Sequence, residues 1–495
     1  MENSVAQAEK VEELKQLLFK DASISSDLMA ISDYLPACEY ELISFMVAQG
    51  AWKGSQPPPP AGYTPGAGSV DFGLFLYWLN NPGLLDLSYF SFLEKIEIKA
   101  LIQLLDDLHL IAPTQMTSEN YDYLESSELI YSDGSVLSIK PYATYDQGWF
   151  IAFLNLAETV IRDLWYSGDS FPATPPPTIP LVGTETNTVS IAILGDWGTG
   201  DAMSENVMNS ITTMVKPDYI VHVGDVYYAG TPLSTGPNGA HYFGAGEEHE
   251  NLLDPWPSSY IGRSFTLNSN HEMYSGANGY FNEALNAPNN GSGTPFSAQK
   301  GSSCFALQYG GWTILGLDSA YMASSIDAFM TGSIGGADGA QGQWIKSLGL
   351  KPGNTIVLTH HNGFAFDCSS VSSLWGEING ALNGDPYAWY WGHVHNGIVY
   401  DAPITIPSTP DQAGLTTNTF SRCLGHGALP YGPSSELDGK PIAWRATNLS
   451  GSSLQLANGY AVLTLTTNAA NQLTGITESF YDISTNSAVW TKQIY

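Results

Sequence analysis

"VSIAILGDWG" (189–198) and "YIVHVGDVYY" (219–228) set the architecture. Each is an apolar, β-branched run with no polar alternation, and each ends on Gly-Asp. A strand buried on both faces reads this way, because neither face meets water. Between them lies "MSENVMNSITTMV" (203–215), which reads as a helix. Strand, helix, strand is the grammar of an α/β fold. The pattern continues in "SFTLNSNHE" (264–272), "WTILGLDSA" (312–320), "NTIVLTHHNG" (354–363) and "YAWYWGHVHNG" (387–397), with a further helix predicted in "GAQGQWIKSLG" (339–349). The tail from residue 460 reads as three strands with turns that close one side of a sheet.

Upstream the texture differs. "YFSFLEKIEIKALIQLLDDLHLI" (89–111) and "GWFIAFLNLAETVIRDLWY" (148–166) carry apolar residues every three or four positions, which predicts helices. "QPPPPAGYTPGAGS" (56–69) interrupts this region, and "SFPATPPPTIP" (170–180) ends it, since clustered prolines cannot continue a helix. The expected organisation is therefore a mainly helical N-terminal domain over 1–168, a Pro-rich linker over 169–184 and an α/β domain over 185–495.

Composition excludes several classes. The chain has 495 residues, with 17 Lys or Arg against 48 Asp or Glu and a formal charge of -31. Nucleic acid and anionic membranes are bound by clustered cations, which this chain lacks. No apolar run reaches the roughly 18 residues of a membrane helix. "MENSVAQAEKVEELKQLLF" is charged and amphipathic, so no standard secretory signal is expected, and the reading is of a soluble chain, cytoplasmic or exported by another route. Cys38, Cys304, Cys368 and Cys423 have no zinc-clip spacing and make no disulfide scaffold, though one bridge is possible.

The strand ends carry the chemistry, because loops converge at the carboxyl ends of α/β strands. Asp196 ends the first run, with Gly198 two residues on. Asp225 ends the second, with Tyr228 three residues on. Asn270, His271 and Glu272 follow the third, His360 and His361 follow "IVLT", and His393 and His395 follow "WYWG". Asp196, Asp225, Tyr228, Asn270, His360, His393 and His395 are all able to ligate metal, through hard oxygens and imidazoles, which suits Fe, Mn or Zn. His271 follows Asn270 directly and is a candidate proton donor to a leaving group. Glu272 is expected to orient a neighbour, His361 to be a packed or exposed neighbour, His222 to be a core histidine and Tyr227 to pack.

The order Asp-x-Gly, Gly-Asp-x-x-Tyr, Asn-His-Glu, Val-x-x-His, Gly-His-x-His resembles the calcineurin-like metallophosphoesterases, and within them the purple acid phosphatases. The resemblance covers about 190–400. It implies a four-layer α/β/β/α sandwich holding two metal ions. Asp196, Asp225, Tyr228 and His395 would hold Fe(III), and Asp225, Asn270, His360 and His393 a divalent Fe, Zn or Mn. It implies hydrolysis of phosphate monoesters by attack of metal-bound hydroxide, with His271 assisting the leaving group, and a small phosphorylated substrate as partner. The alternatives are a phosphodiesterase acting on cyclic nucleotides or phospholipid headgroups, and an inactive binding or structural protein. The N-terminal helical domain is a candidate surface for a protein partner. Three departures bear on substrate. Ser269 stands where the family has Gly, the aromatic and Arg expected after Gly-His-Val-His are replaced by "NGIVY", and "HNGFAFDCSS" has no further histidine. "SRCLGHGALPYG" (421–432) offers Arg422 and His426 as replacements, against the plainer reading of a structured loop.

Overall fold

The computed structural model describes residues 152, 155, 156, 159, 175–233, 246–325, 328–408, 413–432, 434–450 and 455–495. The expected helical domain over 1–168, with Cys38, otherwise lies outside the described residues. Residues 151–162 group by contact with 169–495 rather than with the residues before them.

Two sheets make the body. In chain order the strands are β1 Thr178–Pro180, β2 Thr188–Leu194, β3 Tyr219–His222, β4 Ser264–Thr266, β5 Phe305–Tyr309, β6 Trp312–Gly316, β7 Thr355–Thr359, β8 Ala388–Trp391, β9 Gly397–Tyr400, β10 Ile404–Ile406, β11 Leu415–Thr417, β12 Phe420–Leu424, β13 Ile442–Arg445, β14 Gly459–Thr467, β15 Leu473–Asp482 and β16 Ser487–Gln493. One sheet runs β1-β5-β6-β7-β8-β12-β9-β13 and the other β16-β15-β14-β2-β3-β4, with β10 and β11 as a separate pair. β2, β3 and β4 are parallel, as are β6, β7, β8 and β12. The three expected tail strands are β14, β15 and β16, and β14 joins β2 antiparallel to extend the second sheet.

The apolar runs bury where the two sheets face each other. Val189, Ile191 and Ile193 of β2 and Val221 of β3 share one core with Ile314, Ile356, Leu358 and Tyr390 of the other sheet. Fully burying each such side chain is worth about 1.5–3 kcal/mol, which is why apolar residues dominate both faces of these strands. The helices are α1 Ala202–Ser210, α2 Asn270–Met273, α3 Ala340–Ser347 and α4 Ser373–Leu382. Ile345 of α3 and Ile378 of α4 pack with Leu315, Val357 and Trp389 on the outer face of the first sheet. On the second sheet, Ser210 of α1 hydrogen-bonds the Tyr460 hydroxyl of β14 at 2.9 Å. The layers are thus helix, sheet, sheet, helix, as the family resemblance implied.

Two features lock the sheets together. Arg422 on β12 and Glu478 on β15 form a buried ion pair, to which the Tyr390 hydroxyl also donates. At the carboxyl edge Gly195 N donates to Leu424 O at 3.1 Å, so the loops after β2 and β12 meet there. Cys304, Cys368 and Cys423 are free thiols.

Candidate metal centre

Five strand ends deliver their side chains to one place. Asp196, Asp225 and His393 each adopt positive φ, at 55°, 78° and 65°. A non-glycine residue there is uncommon and is held by its surroundings, so the three residues turn sharply off their strands toward one point. Two glycines make room. A Cβ on Gly392 would stand 2.5 Å from Asp196 Oδ2, and one on Gly224 would stand 2.8 Å from His360 Nδ1, with Gly224 also at φ 101°. Gly392 therefore lets the His393 amide approach and donate to Asp196 Oδ2 at 2.9 Å.

Around Asp225 Oδ1 lie His360 Nε2 at 3.2 Å and, beyond it, Asn270 Oδ1, which is 2.8 Å from His360 Nε2 and 3.0 Å from His393 Nδ1. His360 Nδ1 donates to Val223 O at 2.9 Å. That bond fixes the tautomer, since a neutral imidazole carries one proton. Burial lowers the His360 pKa to about 3, so the ring is neutral and Nε2 carries only its lone pair. Nε2, Asn270 Oδ1 and Asp225 Oδ1 then face one another as three acceptors with no proton between them. A cation satisfies all three, and the donor types fit a transition metal. Asp196, Asp225 and His360 bring ligand atoms within 4.8 Å of one another, as do His360, His361 and His393.

A second group of donors lies around Asp225 Oδ2. The Tyr227 hydroxyl donates to it at 2.9 Å and lies 3.1 Å from His395 Nε2 and 3.4 Å from Asp196 Oδ1. His395 Nε2 is 3.5 Å from Asp196 Oδ1. The packing role expected for Tyr227 is thus incomplete: its ring is fully buried and its phenol enters the donor set. Tyr228 is half-buried, and its carbonyl oxygen meets His271 Nδ1 at 2.6 Å.

The charges are mutually adjusted. Burial, then the neighbouring Asp225 charge, raises the Asp196 pKa well above the carboxylate range. Burial opposes the charge on Asp225 too, yet its pKa lies well below that range, and the hydrogen bond from the Ser269 hydroxyl is among the causes that lower it. Burial lowers His393 to about 3 and His395 to about 4, leaving both imidazoles neutral, the form that binds metal.

Ser269 explains part of the third strand end. It caps α2, its hydroxyl accepting from His271 N, and it donates to Asp225 Oδ1 at 2.5 Å. Glu272 Oε2 also lies against this hydroxyl. One hydroxyl has one proton, so one of the two carboxyls must bring its own. Burial, then the Asp225 charge, pushes Glu272 up to about 8, which makes it the protonated partner. Glu272 therefore steadies Ser269, and Ser269 steadies Asp225. His271 turns its Nε2 toward Asp225 Oδ2 at 4.0 Å, and burial lowers its pKa.

The remaining readings sort by contact. His361 uses both nitrogens, on Ser319 Oγ at 2.9 Å and Phe329 O at 2.7 Å, and so is a packed neighbour of His360. His222 is a core histidine, fully buried against Trp197 and Trp256 with Nδ1 on Thr266 Oγ1. Arg422, on β12, is committed to Glu478, and His426, in the loop after it, is buried against Trp444 and Phe480, so both have structural roles. Sequence reading missed Tyr274. Its hydroxyl accepts from Asn270 Nδ2 at 2.9 Å, and the i, i+4 spacing was the available signal. Among the described residues, lysine and arginine ion pairs lie elsewhere: Lys346 with Asp338, Lys440 with Asp367, Arg445 with Asp438 and Arg422 with Glu478.

Comparison with known proteins bears on residues 189–397, which match the family model described as calcineurin-like phosphoesterase. No curated protein matches the chain. Among solved structures, the chain is similar to GAP50, the anchor in the inner membrane complex of Plasmodium, at 14% identity and TM-score 0.41, over 62% of this chain and 88% of that one. It is similar to PhoD at 10% identity and TM-score 0.35, over 64% and 74%. A hypothetical protein from Thermus thermophilus matches at 14% identity and TM-score 0.25, over 59% and 99%.

Proposed function

We propose that this chain, whose residues 189–397 match the calcineurin-like phosphoesterase model, is a metal-dependent hydrolase of phosphate monoesters whose pair of metal ions would share Asp225. The observation that carries the reading is the trio of facing lone pairs on His360 Nε2, Asn270 Oδ1 and Asp225 Oδ1. Asp225, Asn270, His360 and His393 would hold a divalent Fe, Zn or Mn. Asp196, Asp225 and His395 with one phenol would hold Fe(III), carboxylate and phenolate being suited to a hard trivalent ion. Tyr227 supplies that phenol in place of Tyr228, given its 2.9 Å and 3.1 Å contacts with Asp225 and His395. Bound there, the ions supply positive charge for a phosphoryl group and a nucleophilic hydroxide near neutral pH.

The protein's own groups do the rest. Asp225 presents one oxygen to each donor group, and Ser269 holds the carboxylate in that orientation. His271 Nδ1 donates to Tyr228 O, which leaves Nε2 facing the site, and donation from Nε2 to a leaving oxygen would need the ring in its imidazolium form. The charge of -31 and the remote Lys and Arg pairs leave the metals as the attraction for an anionic substrate.

A panel of monoesters and diesters, each with good and poor leaving groups, tests the reading. Monoesters should turn over faster. His271→Ala should slow esters with poor leaving groups roughly 10²–10⁴-fold more than aryl esters, since only the former need the proton. Faster diester turnover would contradict monoester specificity, and an equal loss across leaving groups would remove the proton-donor role.

A further inference from the structure

Thr159 lies 115 residues before Tyr274, and its hydroxyl donates to Tyr274 O at 2.7 Å. Ala152, Asn155, Leu156 and Thr159 are all helical and all buried. Their spacing of i, i+3, i+4 and i+7 makes them one helix face. Their grouping by contact with 169–495 means that this face packs on the body that carries the metal centre.

Tyr274 sits between that face and the ligand candidates. Its amide donates to Asn270 O and His271 O, closing the turn of α2. Its ring lies against the His271 ring, with centroids 4.8 Å apart. Its hydroxyl accepts from Asn270 Nδ2 while pointing its own proton toward Met330 Sδ at 3.9 Å. An asparagine amide presents either end to a neighbour unless something distinguishes them. Here the phenol takes the NH₂ end, so Oδ1 is the end that faces His360 and His393.

We infer that the helix face containing Thr159 belongs to the catalytic body, and that it holds Tyr274 as a positioning residue which turns Asn270 Oδ1 toward the metal seat. The role given to Asn270 rests on the function proposed above. The functional boundary then falls near residue 150 rather than at 168.

The test uses the full-length chain with Thr159→Val, which removes the hydroxyl and keeps the shape, Thr159→Ser, which restores it, and Tyr274→Phe. Amide hydrogen exchange is followed across 270–275 in metal-stripped protein. Release of divalent metal into excess chelator is followed in loaded protein. One hydrogen bond corresponds to roughly five-fold in a local opening equilibrium. Thr159→Val should therefore speed exchange at 270–275 by that order while β6 and β7 keep their protection, and Thr159→Ser should match wild type. Thr159→Val and Tyr274→Phe should each speed metal release, and the double variant should add little. Unchanged exchange at 270–275, or a uniform rise across the molecule, would overturn the inference. So would Tyr274→Phe releasing metal at the wild-type rate, a variant that keeps both ring and carbonyl if Thr159→Val fails to fold. A chain that takes up no metal would sink the proposed function, and the exchange measurement would still decide whether Thr159 holds the Asn270 turn.

Discussion

Tyr227 and Tyr228 are adjacent, and only the backbone decides which phenol enters the donor set. The strand-end positions of Asp196, Asp225, Asn270, His360, His393 and His395 were legible because each lies within a few residues of the end of an apolar run. Which phenol faces the donor set was not legible in the sequence, because the turn after Asp225 begins at positive φ and spacing along the chain does not translate into direction there; that Tyr227 takes the role expected of Tyr228 is the proposal made above. If the site holds Fe(III), the purified protein should be pink to violet from phenolate charge transfer. Tyr227→Phe should abolish the visible band and Tyr228→Phe should keep it. The reverse result would return the ligand role to Tyr228, and a colourless wild type would remove iron from the assignment.

Among the elements, strands and helices were read well because burial on both faces leaves long apolar runs, as in β2, β3 and β7. Among the described residues, the turns at 246–263 and 274–300 were not, because buried polar groups without apolar periodicity share their packing. Glu247 is an instance: it is buried and accepts from the Ala229 and Thr231 amides. Ser269 is another, a departure from the family whose use appears only in three dimensions, where it caps α2 and braces Asp225. Ser269→Ala removes an N-cap oxygen, worth about 1 kcal/mol, and leaves Asp225 and Glu272 without their shared partner. Urea denaturation should show a loss of about 1–3 kcal/mol. A loss below a few tenths would mean that the hydroxyl braces neither carboxyl.

For the molecule as a whole, the two sheets bury ionisable groups whose titration sets a pH window of stability. Burial lowers His426 to about 4 from its ordinary value of 6.5. The folded state therefore prefers the neutral ring, so this contribution is present above 6.5 and is lost as pH falls toward 4. The shift corresponds to roughly 3 kcal/mol. Burial raises Glu247 from 4.5 to about 8, so its contribution is present below 4.5 and is lost as pH rises toward 8. In a denaturation series, His426→Leu should flatten the acid limb and Glu247→Gln the alkaline limb. A wild-type acid limb retained in His426→Leu would show that the ring does not titrate as its burial requires. Whether two ions share Asp225 is decided by elemental mass spectrometry of the wild type and Asp225→Asn purified side by side. Two metal ions per wild-type chain are expected, and below one in the variant, because the asparagine removes the negative charge that both ions share. A metal-free wild type, or two ions in both proteins, would overturn the shared-carboxylate centre.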